Sequence, residues 1–290
     1  MKHKHWMSIT VILLTIMVLI IGTGARKAMA ATCKGIYKSE VIKRLADNAK
    51  TENTILTEND ILHLPEPVQK YLRYVGVIGK DKVNNVRVFF EGDFKMDCKR
   101  DWMKIKTEQY DFFATPTRLF YIHGIMACIP MSGFDFYADG KGNMRITIAS
   151  LFTVADARGP ETDIGEMVTL FNDMCLLTPA TLIDKRIEWE TLDSLTVKGV
   201  FRDNGYTVSA ILYFNEQGEL TNFETDDRYY APLGQTPRRV KWSTPVLKYQ
   251  EINGVKVLVE GDAVWHLEDG DFCYAKFKLK EIEYNCKQFK

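Results

Sequence analysis

VRVFFEGDFKM, residues 86–96, alternates without a break. Val86, Val88, Phe90, Gly92, Phe94 and Met96 take one side, and Arg87, Phe89, Glu91, Asp93 and Lys95 take the other. A period of two with one apolar side is the mark of a half-buried strand. Outward from this stretch the same rhythm predicts strands at 102–113, 117–127 and 143–154, with the turn Asp139-Gly140-Lys141-Gly142 before the last of them. The rhythm then changes. Pro160-Glu161-Thr162-Asp163 reads as a helix start with an acidic first turn. Ile164, Met167, Val168, Phe171, Met174 and Cys175 keep helical spacing, and Pro179 opens a second short helix through Ile183. Alternation resumes at 187–191, 195–202, 206–214, 219–228, 239–248, 255–266 and 271–284. Asn253-Gly254 and Asp269-Gly270 supply hairpin turns.

Helices, four strands, a helical insert and seven more strands define an α+β fold. Its large curved antiparallel sheet forms a partial barrel, preceded by N-terminal helices and carrying the short insert, at about 160–184, on the concave face. Upstream, Pro65 and Pro67 suit a helix entry, Val68, Tyr71, Leu72 and Val75 form its apolar stripe, and Gly76 fits a C-terminal cap. Residues 31–62 read as a polar stalk whose weak helix face is Ile42, Leu45, Ala46 and Ala49. The domain organisation expected is therefore a leader at 1–30, the stalk at 31–62 and a single domain at 63–290.

The leader opens with Lys2 and Lys4, runs from Trp6 to Ala25 without a charged side chain, and closes on Ala28-Met29-Ala30. That order makes it a signal peptide. The apolar run is also long enough for a membrane anchor. Both readings put the body outside the cytoplasm, secreted or anchored to the cytoplasmic membrane. The basic residues after the run leave open an inverted anchor. Lys+Arg and Asp+Glu both number 38, so a balanced chain gives no electrostatic case for nucleic acid or anionic lipid. The six cysteines permit disulfides in an exported protein, with fifteen connectivities, or are small buried hydrophobes. With no CxxC and no Cys/His cluster, neither a metal nor another cofactor is expected.

Several motifs keep order and spacing: LPEPVQKYLRYVGVIG from Leu64, FYADGKGNMRI from Phe136, ETDIGEMVTLFNDMCLLTPATLID from Glu161, FETDDRY from Phe223, VKWSTP from Val240 and WHLEDGDFCY from Trp265. Over about residues 60–286 the chain resembles a bacterial family catalogued only as a domain of unknown function. The resemblance implies an N-terminal hydrophobic segment and carries no activity. A looser similarity, of pattern alone, is to periplasmic lipoprotein carriers and related lipid-binding half-barrels, which is fold analogy.

No serine sits in a GxSxG elbow, and His63, His123 and His266 are ordinary core or surface histidines unless the fold brings an acid and a nucleophile to one of them. Asn172 and Asp173 fall beside the apolar face of the insert helix, where polar residues line a cavity or cap strands. Adjacent acids on a strand face opposite ways, so Asp226 and Asp227 are no shared carboxylate pair. Asp226 and Arg228 should share a face, with Arg228 turned to the cavity and paired with a carboxylate. Arg239 offers a second structural ion pair or headgroup anchor. Trp242 shares a face with Val240 and Thr244, and Trp265 with Val257, Val259 and Ala263, as core or as cavity wall. Lys276, Lys278 and Lys280 read as a solvated face.

The expected protein binds an apolar or amphipathic, lipid-like molecule between sheet and insert and meets the membrane through its N-terminal segment. The expected ligand-binding residues are Tyr137, Asn172, Asp173, Asp226, Arg228, Arg239 and Trp242. An extracytoplasmic enzyme with its acid or base among Glu161, Asp163, Asp173, Asp226 and Asp227 is the second reading, and a structural envelope protein the third. A continuous apolar tunnel favours binding, and converged desolvated ionisable groups favour catalysis.

Overall fold

Alternation in the sequence becomes one antiparallel sheet. The structure is a computed structural model and describes residues 32–48, 54–126, 128–150, 152–232 and 235–290. The leader lies outside the described residues. No helix among the described residues is long and apolar enough to cross a membrane. Helices α1 (Cys33–Asn48), α2 (Glu58–Ile61) and α3 (Glu66–Val75) precede strands β1 (Asn85–Phe94), β2 (Met103–Phe112), β3 (Thr117–Met126), β4 (Ile129–Ala138), β5 (Lys141–Ile148) and β6 (Phe152–Ala157). The insert is α4 (Pro160–Leu176) and a 3-10 turn (Pro179–Ile183). Strands β7 (Ile187–Thr191), β8 (Thr196–Asp203), β9 (Tyr206–Phe214), β10 (Leu220–Thr225), β11 (Tyr229–Tyr230), β12 (Arg238–Arg239), β13 (Trp242–Ser243), β14 (Val246–Ile252), β15 (Val255–Leu267) and β16 (Gly270–Tyr284) complete the chain.

The sheet runs β6-β5-β4-β3-β2-β1-β16-β15-β13-β10-β9-β8-β7, with β14 also on β15 and with β11–β12 a separate pair. Its two ends, β6 and β7, do not pair with each other, so the barrel stays open. The segment joining those two edges is the insert, and α4 lies across the concavity between the two halves of the sheet. One carboxylate ties this arrangement together. Asp163, in the first turn of α4, accepts hydrogen bonds from the Gly142 N–H at 2.7 Å, Lys141 Nζ at 3.0 Å and Tyr206 Oη at 2.8 Å, linking β5 to β9. Burial works against its charge, but these donors prevail and hold its carboxyl below the usual carboxylate range. Gly142 is required here because a Cβ would meet the Thr162 carbonyl oxygen at 2.5 Å.

Five details differ from the sequence reading. Residues 129–138 form a strand in which Pro130 and Gly133 interrupt the alternation, and the stretch expected as 143–154 is two strands around Ala149 and Ser150, both left-handed at φ 52° and 57°. The strand expected at 219–228 stops at Thr225, whose Oγ1 accepts the Asp227 N–H at 3.0 Å and turns the chain. The strand expected at 239–248 is three pieces, broken near Pro245. Finally, 33–48 is no spacer. Cys33, Tyr37, Val41 and Leu45, spaced every four residues, bury a stripe on the convex face against Tyr110, Leu119 and Phe134, leaving Ile42 47% exposed.

On the concave side α4 packs Phe171 against Phe201 (5.6 Å between ring centroids) and Phe223 (5.6 Å), and Val168 and Cys175 are buried beside it. All six cysteines are free thiols, with Cys33, Cys175 and Cys286 buried and Cys98 and Cys128 exposed.

Two stability measurements check these assignments by urea unfolding. Phe171→Ala is expected to cost about 3–5 kcal/mol, the range for deleting a buried aromatic. The Tyr37 hydroxyl is buried and has no hydrogen-bond partner among the described residues. Tyr37→Phe should therefore be neutral or stabilising by about 1 kcal/mol, while Tyr37→Ala should cost about 3–5 kcal/mol. A neutral Tyr37→Ala would restore the spacer reading.

Candidate functional site

Two faces of α4 are buried, and they differ in chemistry. Ile164, Val168, Phe171 and Cys175 face the β8–β10 half of the sheet. Glu166, Thr169, Asp173 and Leu176 recur at helical spacing on the other side and line a cavity of about 170 Å³. The sheet supplies the opposite wall through alternation. Phe120, Ile122, Met131, Gly133, Met144 and Ile146 face inward from β3, β4 and β5, with Phe90 and Phe94 from β1 and Leu258 and Phe277 from β15 and β16.

The polar part of the wall is made by strand register. Asp111 of β2 lies opposite Arg118 of β3, and Asp135 of β4 opposite Phe120, so three inward-facing ionisable groups meet beneath α4. Arg118 Nε donates to Asp173 Oδ2 at 2.7 Å and its Nη1 to Glu166 Oε2 at 3.3 Å, while its guanidinium stacks over Phe120 at 4.7 Å. Gln109 Nε2 bridges Asp111 Oδ2 (2.6 Å) and Asp173 Oδ2 (2.8 Å). Asp111 Oδ1 is buried with no hydrogen-bond partner among the described residues.

Burial pushes all four carboxyls up. Asp111 is raised well above the carboxylate range by desolvation and by the charge of Asp173. Asp135 is pushed up to about 8 by desolvation and by Glu166, against the pull of Arg118 and Arg228. Glu166 and Asp173 are raised by desolvation, with Arg118 opposing. Four acids thus share two guanidinium groups, and desolvation favours the neutral form most at Asp111 and Asp135, which have no ion pair among the described residues.

Arg228 faces the same cavity. Its guanidinium stacks over Trp242 at 4.4 Å and Trp265 at 5.4 Å, and its buried Nε has no hydrogen-bond partner among the described residues. The carboxylate partner expected for it is not there: no ion pair among the described residues involves Arg228. The strand ends at Thr225, so alternation no longer sets the direction of the residues that follow; Arg228 packs on aromatic faces and acts on Asp135, Glu166 and Asp173 from beyond ion-pair distance.

Of the residues singled out in the sequence, Asn172, Asp173, Arg228 and Trp242 line this one cavity. Asn172 Nδ2 donates to Thr244 Oγ1 at 2.6 Å. Tyr137, Asp226 and Arg239 lie elsewhere. Tyr137 is fully buried in the core and donates to Asp203 Oδ2 at 2.6 Å. Asp226 is exposed, and Arg239 pairs with Asp227 at 3.2 Å outside the cavity. Of the five acids expected for catalysis, only Asp173 reaches the cavity. Arg118, Asp135 and Glu166 were missed. Their inward alternation with Phe120, Gly133 and the helix face was the available signal.

Sequence alone left open whether a histidine meets an acid and a nucleophile. His266 does: Ser243 Oγ and His266 Nε2 are 2.8 Å apart, and His266 Nδ1 and Asp271 Oδ1 are 2.7 Å apart. The order is that of a hydrolase triad. Ser243 points away from the cavity, however, opposite Trp242, and is 2% exposed between Glu224 and Val264 in the ladder, which leaves no approach for a substrate carbonyl. Among the described residues no group of acids, histidines and cysteines could hold a metal ion.

The chain belongs to a family of unknown function, DUF6544, whose model matches residues 54–277. No curated protein matches it. Among solved structures it is similar to a LolA superfamily protein from Nitrosomonas europaea, at 8% identity over 76% of this chain and 94% of that one, with a TM-score of 0.42. A DUF1329 family protein from Desulfovibrio piger is similar at 9% identity over 76% and 92% of the two chains, with a TM-score of 0.43.

The raised carboxyls fix a pH dependence. A carboxyl whose folded pKa exceeds its unfolded value, near 3.9 for Asp, binds its proton more tightly when folded. The stability it contributes is complete below the unfolded value and is lost as pH rises through the folded one, about 8 for Asp135. Unfolding by urea should show stability falling from pH 5 to pH 8, and Asp135→Asn should flatten that fall. An equal slope in wild type and variant would place Asp135 in an ordinary solvated environment.

Proposed function

We propose that this protein binds an amphipathic molecule, part of which enters the cavity between the sheet and α4. The observation that carries the reading is the contrast between the two ends of that cavity. Strand register sets Ile122, Met131 and Ile146 towards one end of it and Arg118 and Asp135 towards the other, and Arg228 adds a charge on its wall over Trp242 and Trp265. Ligand sites are mostly apolar with a few placed polar groups, which is this composition. Arg228 is a cation with no ion pair and a bare Nε, so the group it fits is an acceptor such as a carboxylate or a phosphate. The volume of about 170 Å³ is close to the roughly 150 Å³ of a cavity that holds a benzene-sized guest. A short apolar group or the end of a longer chain fits; the rest of a lipid would lie outside. The leader supports an extracytoplasmic site of action, secreted or anchored.

A second reading has its own observation. Asp135, with a pKa near 8 on the cavity wall beside Glu166, is suited to exchange a proton at neutral pH. In that reading the bound molecule is turned over, with Asp135 as acid or base.

Native protein purified from its own envelope fraction should carry a copurifying amphiphile, identified by mass spectrometry of the organic extract. Arg228→Met should leave the melting temperature nearly unchanged and abolish copurification, because the side-chain volume is kept while the acceptor's partner is removed. Ile122→Trp should abolish it by filling the apolar end. An extract no different from that of an unrelated envelope protein, or a ligand that survives both substitutions, would reject the binding site. Recovery of an altered molecule from wild type, and of the unaltered one from Asp135→Asn, would select the second reading.

A further inference from the structure

The hairpin tips at one end of the sheet are apolar and exposed. Ile125 is 61% exposed, Ile129 46%, Phe152 67% and Val154 41%. Strand register places these tips together. Met126 pairs with Ile129 at the β3–β4 tip, Met131 with Ile148 across β4–β5, and Ile148 with Phe152 at the β5–β6 tip. No charged side chain occurs in residues 124–131 or 146–154. Exposed apolar groups of this kind, summing to the order of a few hundred Å², mark an interaction surface rather than ordinary scatter.

Two placements identify what covers it. The cavity wall leads there: Ile122, Met131 and Ile146 alternate directly onward to the rim residues on their own strands. The chain also leaves the described fold at this end. The Cys33 thiol, at the start of α1, lies 3.5 Å from Thr147 Oγ1, one residue from the rim residue Ile148, whereas Arg44, near the end of α1, bonds Asp139 in the β4–β5 turn at the far end of the sheet. Seven residues separate Thr32 from Ala25, the last residue of the uncharged run, a reach of at most about 25 Å. The adjacent β1–β2 tip adds Trp102, 38% exposed, with Lys95 Nζ over its ring at 4.8 Å and Lys276 Nζ at 5.1 Å, the aromatic and snorkelling pairing that suits a bilayer interface.

We infer that the tips of β3–β4 and β5–β6 insert into a lipid bilayer and turn the apolar end of the cavity wall towards it. The uncharged tips make the insertion hydrophobic, so vesicles of phosphatidylcholine alone support it. This docking does not depend on the cavity binding a ligand.

Cys128, exposed at the β3–β4 tip, is a native reporter. The full chain, with Cys98→Ser, is labelled there with an environment-sensitive fluorophore and reconstituted into phosphatidylcholine vesicles. A second preparation carries the label at Lys43→Cys with Cys98 and Cys128 replaced by Ser, an exposed position near the far end of α1. Iodide should quench the Cys128 probe several-fold less than the Lys43 probe, and nitroxide lipids should quench it more. The triple variant Ile125→Ser, Ile129→Ser, Phe152→Ser should restore iodide access at Cys128 while the chain stays with the vesicles. Ile122→Trp should leave the Cys128 shielding intact even where it abolishes copurification, which separates this inference from the binding site. Equal iodide access at the two positions, or shielding unchanged in the triple variant, would overturn it.

Discussion

The burial of α4 on both faces is the constraint on which the rest depends. A helix laid in an open, curved sheet normally has one face for the core and one for water. Here the segment 158–186 must connect the two unpaired edges of the sheet, β6 and β7, so the helix crosses the concavity and gives up its solvated face. Its polar residues then need partners from the protein. Asp163 finds them in Gly142, Lys141 and Tyr206, and Glu166 and Asp173 find Arg118. The ion cluster follows from how the connection is routed.

That routing explains why the cluster is under-compensated. Arg118 answers two carboxylates, and Asp111 and Asp135 are drawn into the same dry space by strand register. A buried pair seldom repays its desolvation, and removing one partner is worse than replacing both. A network with four acids and two guanidinium groups is therefore a poor device for stability. Its retention fits a site where polarity is needed at one end of an apolar space. Arg228 makes the same point: shielded by Trp242 and Trp265, it keeps a positive charge at the cavity without spending it on an internal carboxylate.

The sheet was legible because alternation is local. Val86 through Met96 read correctly on its own residues, as did the insert and most hairpins. Strand β4 was not legible because Pro130 reads as a strand breaker and Gly133 has no side chain to mark the period, and only pairing with β3 and β5 on both sides secures it. The helical character of α1 was legible but its burial was not: its stripe of Cys33, Tyr37, Val41 and Leu45 recurs every four residues and needs the face of β2–β4 to be recognised as buried. In the site, Asn172, Asp173 and Trp242 were legible from their own elements. Arg118 and Asp135 belong to strands read as ordinary alternation, and their significance arises only when α4 brings Glu166 and Asp173 down on them. Asp226 lies outside because strand geometry was extended past Thr225, where the backbone turns, and Arg239 because it sits on β12, which pairs with β11 apart from the main sheet.

Polarity along the cavity and polarity along strands β3 to β6 run the same way. The insert's first turn, with Asp163, and the far-end turn at Asp139 are charged and tied by ion pairs, whereas the opposite rim, from Ile122 and Met131 to Ile129 and Phe152, carries no charge. A strand alternates its faces but keeps its ends, so a gradient along the strands is set by which residues sit at the ends and not by the period. An amphipathic molecule aligned with that gradient would place its head beneath α4 and its apolar part towards the rim. Cys33, beside the start of the described residues, lies at the same rim, so the apolar tips, the apolar end of the cavity wall and the start of the described chain coincide. Each of these three features is unremarkable alone. Their coincidence at one end gives the molecule a direction, which a core helix inside a closed barrel would not require.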